Sequence, residues 1–113
     1  MTLNKLKFGD IILIKFPFTN FSGEKKRPAL VLLGNNEKEI VVCRISGQEK
    51  ESEFDIIIND WQQSGLKLPS IIRLDKLITI ETSIIHKGIG KLKEQEIMVL
   101  KKYIKDKIDS III

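Results

Sequence analysis

Six short runs rich in β-branched residues, GDIILIKF, PALVLL, EIVVCRI, EFDIII, SIIRLDKL and LITIE, follow one another between residues 9 and 81. Turn formers such as FTNFSGEK and LGNNEKE separate them. Valine and isoleucine suit the pleated, half-buried surface of a strand, so five or six closely spaced strands are expected, arranged as a small β-barrel. GNN, after Leu33, suits a hairpin turn, with glycine or asparagine available for positive φ. Segment 60–70, DWQQSGLKLPS, reads as a loop or short helical turn bounded by Gly65 and Pro69. From Glu94 the period changes. Ile97, Leu100, Ile104, Ile108 and Ile111 recur every three or four residues, which predicts an amphipathic helix with one buried face and no clear N-cap residue. The fold class expected is therefore mainly β with a C-terminal helix. With no internal repeat or linker, residues 1–113 read as one domain.

The 42% apolar content with few prolines and glycines belongs to an ordered chain rather than a disordered one. No apolar run approaches the ~20 residues that span a bilayer, and MTLNKLKFGD carries no hydrophobic leader core, so the expected location is cytoplasmic, with no membrane partner. One cysteine, Cys43, excludes an internal disulfide and a clustered-cysteine metal site. Its apolar neighbours Val41, Val42 and Ile45 make it a small core residue rather than a nucleophile. A net charge of +4 favours polyanionic partners without requiring them. The cations concentrate in loop 24–27 and in the C-terminal segment, whereas EKESEFD, residues 49–55, is acidic.

The chain lacks GxxxxGK[ST], GxGxxG, HExxH and paired CxxC, so triphosphate, dinucleotide and standard zinc chemistry have no starting point. His86, the single imidazole, sits in IIHKGIG just before a glycine-flanked turn, where a surface or partial-core role outweighs catalysis. Polar residues at strand ends remain. In GEKKRPALVLL, Pro28 restricts Arg27 to an extended conformation, which aims a cation; the same KKR also reads as a solvated turn. ISGQ ends a strand with Ser46 and Gln48. In SIIRLD, strand alternation sets Arg73 and Asp75 on one face, either as a surface ion pair or as the charged half of a phosphate site.

The ordered set GDIILIKFPFTNFSGEKKRPALVLL, VVCRISGQ and SIIRLDKLITIE, followed by the helical tail, resembles the MazF/PemK/Kid toxins from about residue 8 to about residue 108. The resemblance implies an SH3-like small β-barrel of the MazF/PemK/CcdB type that forms a homodimer. It implies an endoribonuclease, the toxin of a type II toxin–antitoxin pair, that cleaves single-stranded RNA without a metal or other cofactor. A cognate acidic antitoxin is the implied partner, with DNA contacted only through the antitoxin complex. Carried onto this chain, the site is Arg27, Ser46, Arg73 and Asp75. Ser46 stands where many members have threonine. The loop histidine of some Kid-like members has no counterpart in NFSGEKK.

The chemistry is self-consistent. Attack of a ribose 2′-hydroxyl on the adjacent phosphate needs a base and stabilisation of charge on the phosphoryl oxygens, and the RNA brings its own nucleophile. Arginine suits charge stabilisation and, with a pKa above ~12, suits proton donation poorly. Arg27 and Arg73 are therefore assigned to the phosphate and Asp75 to the base, with Ser46 on a phosphoryl oxygen or the 2′-hydroxyl. Ser22, Lys25, Lys26, Gln48 and Ser70 are expected to position RNA. Two other readings keep the barrel: a CcdB-like toxin that binds gyrase, and a non-catalytic RNA-binding or interaction module.

Overall fold

The computed structural model describes residues 6–16, 25–34, 38–47 and 49–112. The element order is β1 (Asp10–Phe16), β2 (Lys25–Gly34), β3 (Glu39–Ser46), β4 (Asp55–Ile58), β5 (Ser70–Glu81), a short 3-10 turn (Thr82–Ile84), β6 (Ile85–Lys91) and α1 (Glu94–Ile111). The strands form one antiparallel sheet in the order β4-β5-β3-β2-β1-β6. The architecture is the expected one, mainly β with a C-terminal helix and barrel-like, but the sheet stays open, with β4 and β6 as its edges.

Two expected runs merge. SIIRLDKL and LITIE form the single strand β5, irregular in the middle: Arg73 faces Arg44 while Leu77 faces Cys43, which leaves Leu74, Asp75 and Lys76 between consecutive β3 partners. The region read as a glycine-flanked turn, IHKGIGK, is instead the edge strand β6, paired with β1. Its glycines serve an approach between backbones. A Cβ on Gly90 would lie 2.0 Å from the Ser64 carbonyl oxygen, and one on Gly65, at φ +92°, would lie 1.9 Å from that of Ile89. The turn at 59–65 is thereby pressed onto β6, which presents Leu66 to the core.

Strand β1 buries both faces inside its own chain. Ile11 joins a core with Leu30, Cys43, Ile45, Ile72 and Leu100, whereas Ile12 and Ile14 join a second with Ala29, Val31, Val42 and Ile80. GDIILIKF therefore finds cover for both faces without a second subunit, despite its four consecutive apolar residues. Helix α1 starts at Glu94 with no side-chain cap at Lys93, and Glu94 and Glu96 complement the positive end of its dipole. Leu100 is its buried anchor, with Ile97, Tyr103 and Ile104 packed beside it. The predicted stripe is not buried throughout, because Ile108 and Ile111 remain 46% and 52% exposed. Cys43 is a core residue as expected, and burial pushes its thiol up to about 12. No described helix is long and apolar enough to cross a membrane.

Candidate functional site

Three cavities that share lining residues run over β2, β3 and β5. The largest, of about 750 Å³, is lined by Lys26, Arg27, Arg44, Lys67 and Lys87, together with Ser46, Ser70 and apolar or glycine positions, and among the described residues by no carboxylate. A second, of about 430 Å³, brings Arg27 and Arg44 together with Asp75 and Lys76. The third, of about 280 Å³, holds Arg44, Ser46, Asp55, Arg73 and Asp75. Arg27 and Ser46 thus share the first, Arg27 and Asp75 the second, and Ser46, Arg73 and Asp75 the third. None of the three is lined by both Arg27 and Arg73.

Local sequence explains these placements. Strand β2 begins at Lys25, so Arg27 lies within it, opposite Ile14, rather than at its mouth. Pro28 is tolerated because pairing of β2 with β3 begins only at Ala29, where the missing N–H breaks no rung of that ladder. Arg27 is half-buried and Lys26 exposed. Ser70 opens β5, buried, and donates to the Leu68 carbonyl at 2.7 Å, which turns its hydroxyl onto its own chain. Ser22, Gln48, the side chain of Lys25 and the loop 17–24 lie outside the described residues, as does most of the GNN turn.

Arg73 is deeply committed. With a side chain only 8% exposed, it pairs with the Asp55 carboxylate, donates Nε–H to Ser46 Oγ at 3.0 Å and donates an Nη2–H to the Glu49 carbonyl at 3.1 Å. Glu51 adds a looser contact at 3.6 Å. Asp55 is itself 3% exposed and accepts the backbone N–H groups of Glu51 at 2.8 Å and Ser52 at 3.1 Å. Burial alone would push its carboxyl up; the two backbone donors and the Arg73 guanidinium outweigh that and hold it below the usual value. The carboxylate partner of Arg73 is therefore Asp55 and not Asp75, because the irregularity in β5 breaks the alternation that would pair them. Asp75 is exposed and lines the second and third cavities.

Reasoning from sequence missed Asp55 and Arg44. Asp55 carried a signal: an acidic residue directly before a β-branched run, in a chain whose buried arginine needs a counter-charge. Arg44 is a lone cation inside VVCRIS, and only cross-strand neighbours reveal its place. His86 is exposed on β6, where its Nε2 lies 3.3 Å from Lys26 Nζ. Lost hydration and then the charges of Lys26, Lys15 and Lys87 hold its imidazole below the ordinary value, so it is neutral near pH 7.

The fold is similar to that of solved toxins. Mycobacterium tuberculosis toxin MazF-mt6 superposes with a TM-score of 0.71 at 20% identity, covering 88% of this chain and 96% of that one. A second Mtb toxin gives 0.59 at 22% identity over 71% and 90% of the two chains. An endoribonuclease from mycobacterial species gives 0.65 at 9% identity over 89% and 88%. No curated protein matches the chain. Residues 7–108 match the family model described as the PemK-like, MazF-like toxin of type II toxin–antitoxin systems. That match spans nearly all of the described sheet and helix, and the chain belongs to this toxin family.

Proposed function

We propose that this toxin is a metal-independent endoribonuclease acting on single-stranded RNA. The observation that carries the reading is the 750 Å³ groove, where Lys26, Arg27, Arg44, Lys67 and Lys87 converge, with Ser46 on its wall. A groove whose described lining gathers five cations suits a polyanionic chain, and phosphate contacts supply most of the affinity in such complexes.

The proposed reaction runs as an internal transesterification. Asp75 takes the proton of the 2′-hydroxyl, the 2′-oxygen bonds to phosphorus, and the bond from phosphorus to the 5′-oxygen breaks as that oxygen takes a proton from solvent. The products are a 2′,3′-cyclic phosphate and a 5′-hydroxyl. Asp75 is better suited as base than Asp55, since it is exposed while Asp55 is consumed by Arg73 and two backbone donors. Arg27 stabilises charge on the phosphoryl oxygens from the groove side, and its extended backbone ahead of Pro28 preorganises it. Ser46 accepts from Arg73, so its own hydroxyl proton remains available to a phosphoryl oxygen. The type II family implies an antitoxin partner. In this reading its acidic segment occupies the same groove, and the active toxin is a symmetric homodimer. The test is incubation with a defined single-stranded RNA in EDTA, followed by end mapping. Cyclic phosphate and 5′-hydroxyl ends are expected; activity lost in EDTA and restored by magnesium refutes the reading.

A further inference from the structure

We infer that Arg44, rather than Arg73, is the guanidinium of the central strand that grips the RNA phosphate, acting beside Arg27. The inference rests on the proposed RNA substrate and adds a residue to its site. Arg44 lines all three cavities, the single described residue to do so. Its position follows from the register: Ala29 on β2, Arg44 on β3 and Arg73 on β5 lie in one cross-strand row. Arg44 thus stands between the arm that carries Arg27 and the pocket that holds Ser46, Arg73 and Asp75.

Charge accounting separates the two arginines. The guanidinium of Arg73 is neutralised by Asp55, approached by Glu51 and hydrogen-bonded to Ser46 and the Glu49 carbonyl. A phosphate reaching it would have to displace an existing acceptor and would meet two carboxylates. Arg44 is exposed and makes no hydrogen bond or ion pair with a described residue. Such a fork, with all five N–H donors available and a full positive charge, fits two phosphoryl oxygens at once.

The experiment compares wild type, Arg44→Ala and Arg44→Lys in single-turnover cleavage of a single-stranded RNA. In parallel, each binds a version blocked by 2′-O-methyl groups across a salt series. Because Arg44 is exposed and unpaired, thermal melting of both variants should match wild type. Arg44→Ala should slow cleavage about 100-fold, the usual scale for one electrostatic stabiliser, and flatten the salt slope by about 0.7, one phosphate contact on a single strand. Arg44→Lys should restore the slope and part of the rate. Unchanged cleavage and an unchanged slope in a cleaving protein overturn the role of Arg44 and leave the nuclease reading intact. Binding that depends on Arg44 without any cleavage by wild type upholds the phosphate contact and refutes the nuclease. Failure of wild type to bind RNA at all overturns both.

Discussion

Replacing Asp55 by alanine should be the most destabilising single change in the polar part of this molecule. An exposed ion pair would be worth under ~1 kcal/mol. Asp55 and Arg73 are 3% and 8% exposed, so the relevant comparison is a buried pair that loses one partner. That leaves a buried guanidinium uncompensated, at about 3–5 kcal/mol. The backbone N–H groups of Glu51 and Ser52 also lose their acceptor, but they lie near solvent and water can replace much of that loss. The expected loss is therefore about 3–5 kcal/mol, against a total stability of about 5–15 kcal/mol for a typical domain. Urea unfolding followed by far-UV circular dichroism at pH 7 reads it directly. The double variant Asp55→Ala/Arg73→Met should regain much of the loss, since an apolar pair removes the buried charge that carries the cost. The pH dependence has a fixed sign. The folded pKa of Asp55 is depressed, so its stabilisation is present above the unfolded value of about 3.9 and disappears as pH falls through the folded value. Wild type should lose stability below about pH 4 more steeply than Asp55→Ala. A loss within ~1 kcal/mol for Asp55→Ala at pH 7 would show that Arg73 is solvated and that the pair belongs to the surface class.

Arg27→Ala should stay folded and lower turnover about 100-fold, and near-normal turnover would refute a catalytic role for Arg27. Gly65→Ala places a methyl carbon 1.9 Å from the Ile89 carbonyl oxygen at φ +92°, so melting should drop by several degrees or the protein should fail to fold. A melting temperature equal to wild type would show that the 59–65 turn is not clamped on β6. Light scattering at tens of micromolar should report a homodimer, and bound acidic antitoxin should suppress both RNA binding and cleavage. A monomer refutes the dimer, and an antitoxin complex that cuts at full rate refutes competition for the groove.

Much of this architecture was legible because its signals are local. Runs such as EIVVCRI and DIII carry the β-branched composition of strands, and the three-to-four spacing from Ile97 to Ile104 marks a buried helix face, whatever surrounds them. The ordered motifs around Arg27, Ser46, Arg73 and Asp75 likewise carried the family without any coordinates. Other features depended on partners distant in the chain. Strand β6 escaped notice because Gly88 and Gly90 weaken any strand signal, and the reason for Gly90, the Ser64 carbonyl 2.0 Å from where its Cβ would lie, is supplied by another segment. Ile108 and Ile111 keep helical spacing yet stay exposed, since periodicity tells which way a side chain points and not whether a partner surface extends that far. The roles of the two central arginines were hidden for the same reason. Sequence spacing set Arg73 beside Asp75, but three extra residues in β5 and the arrival of β4 handed it to Asp55 and left Arg44 open to solvent. An ion pair between residues 18 positions apart depends on strand register, and register emerges only when the whole sheet packs.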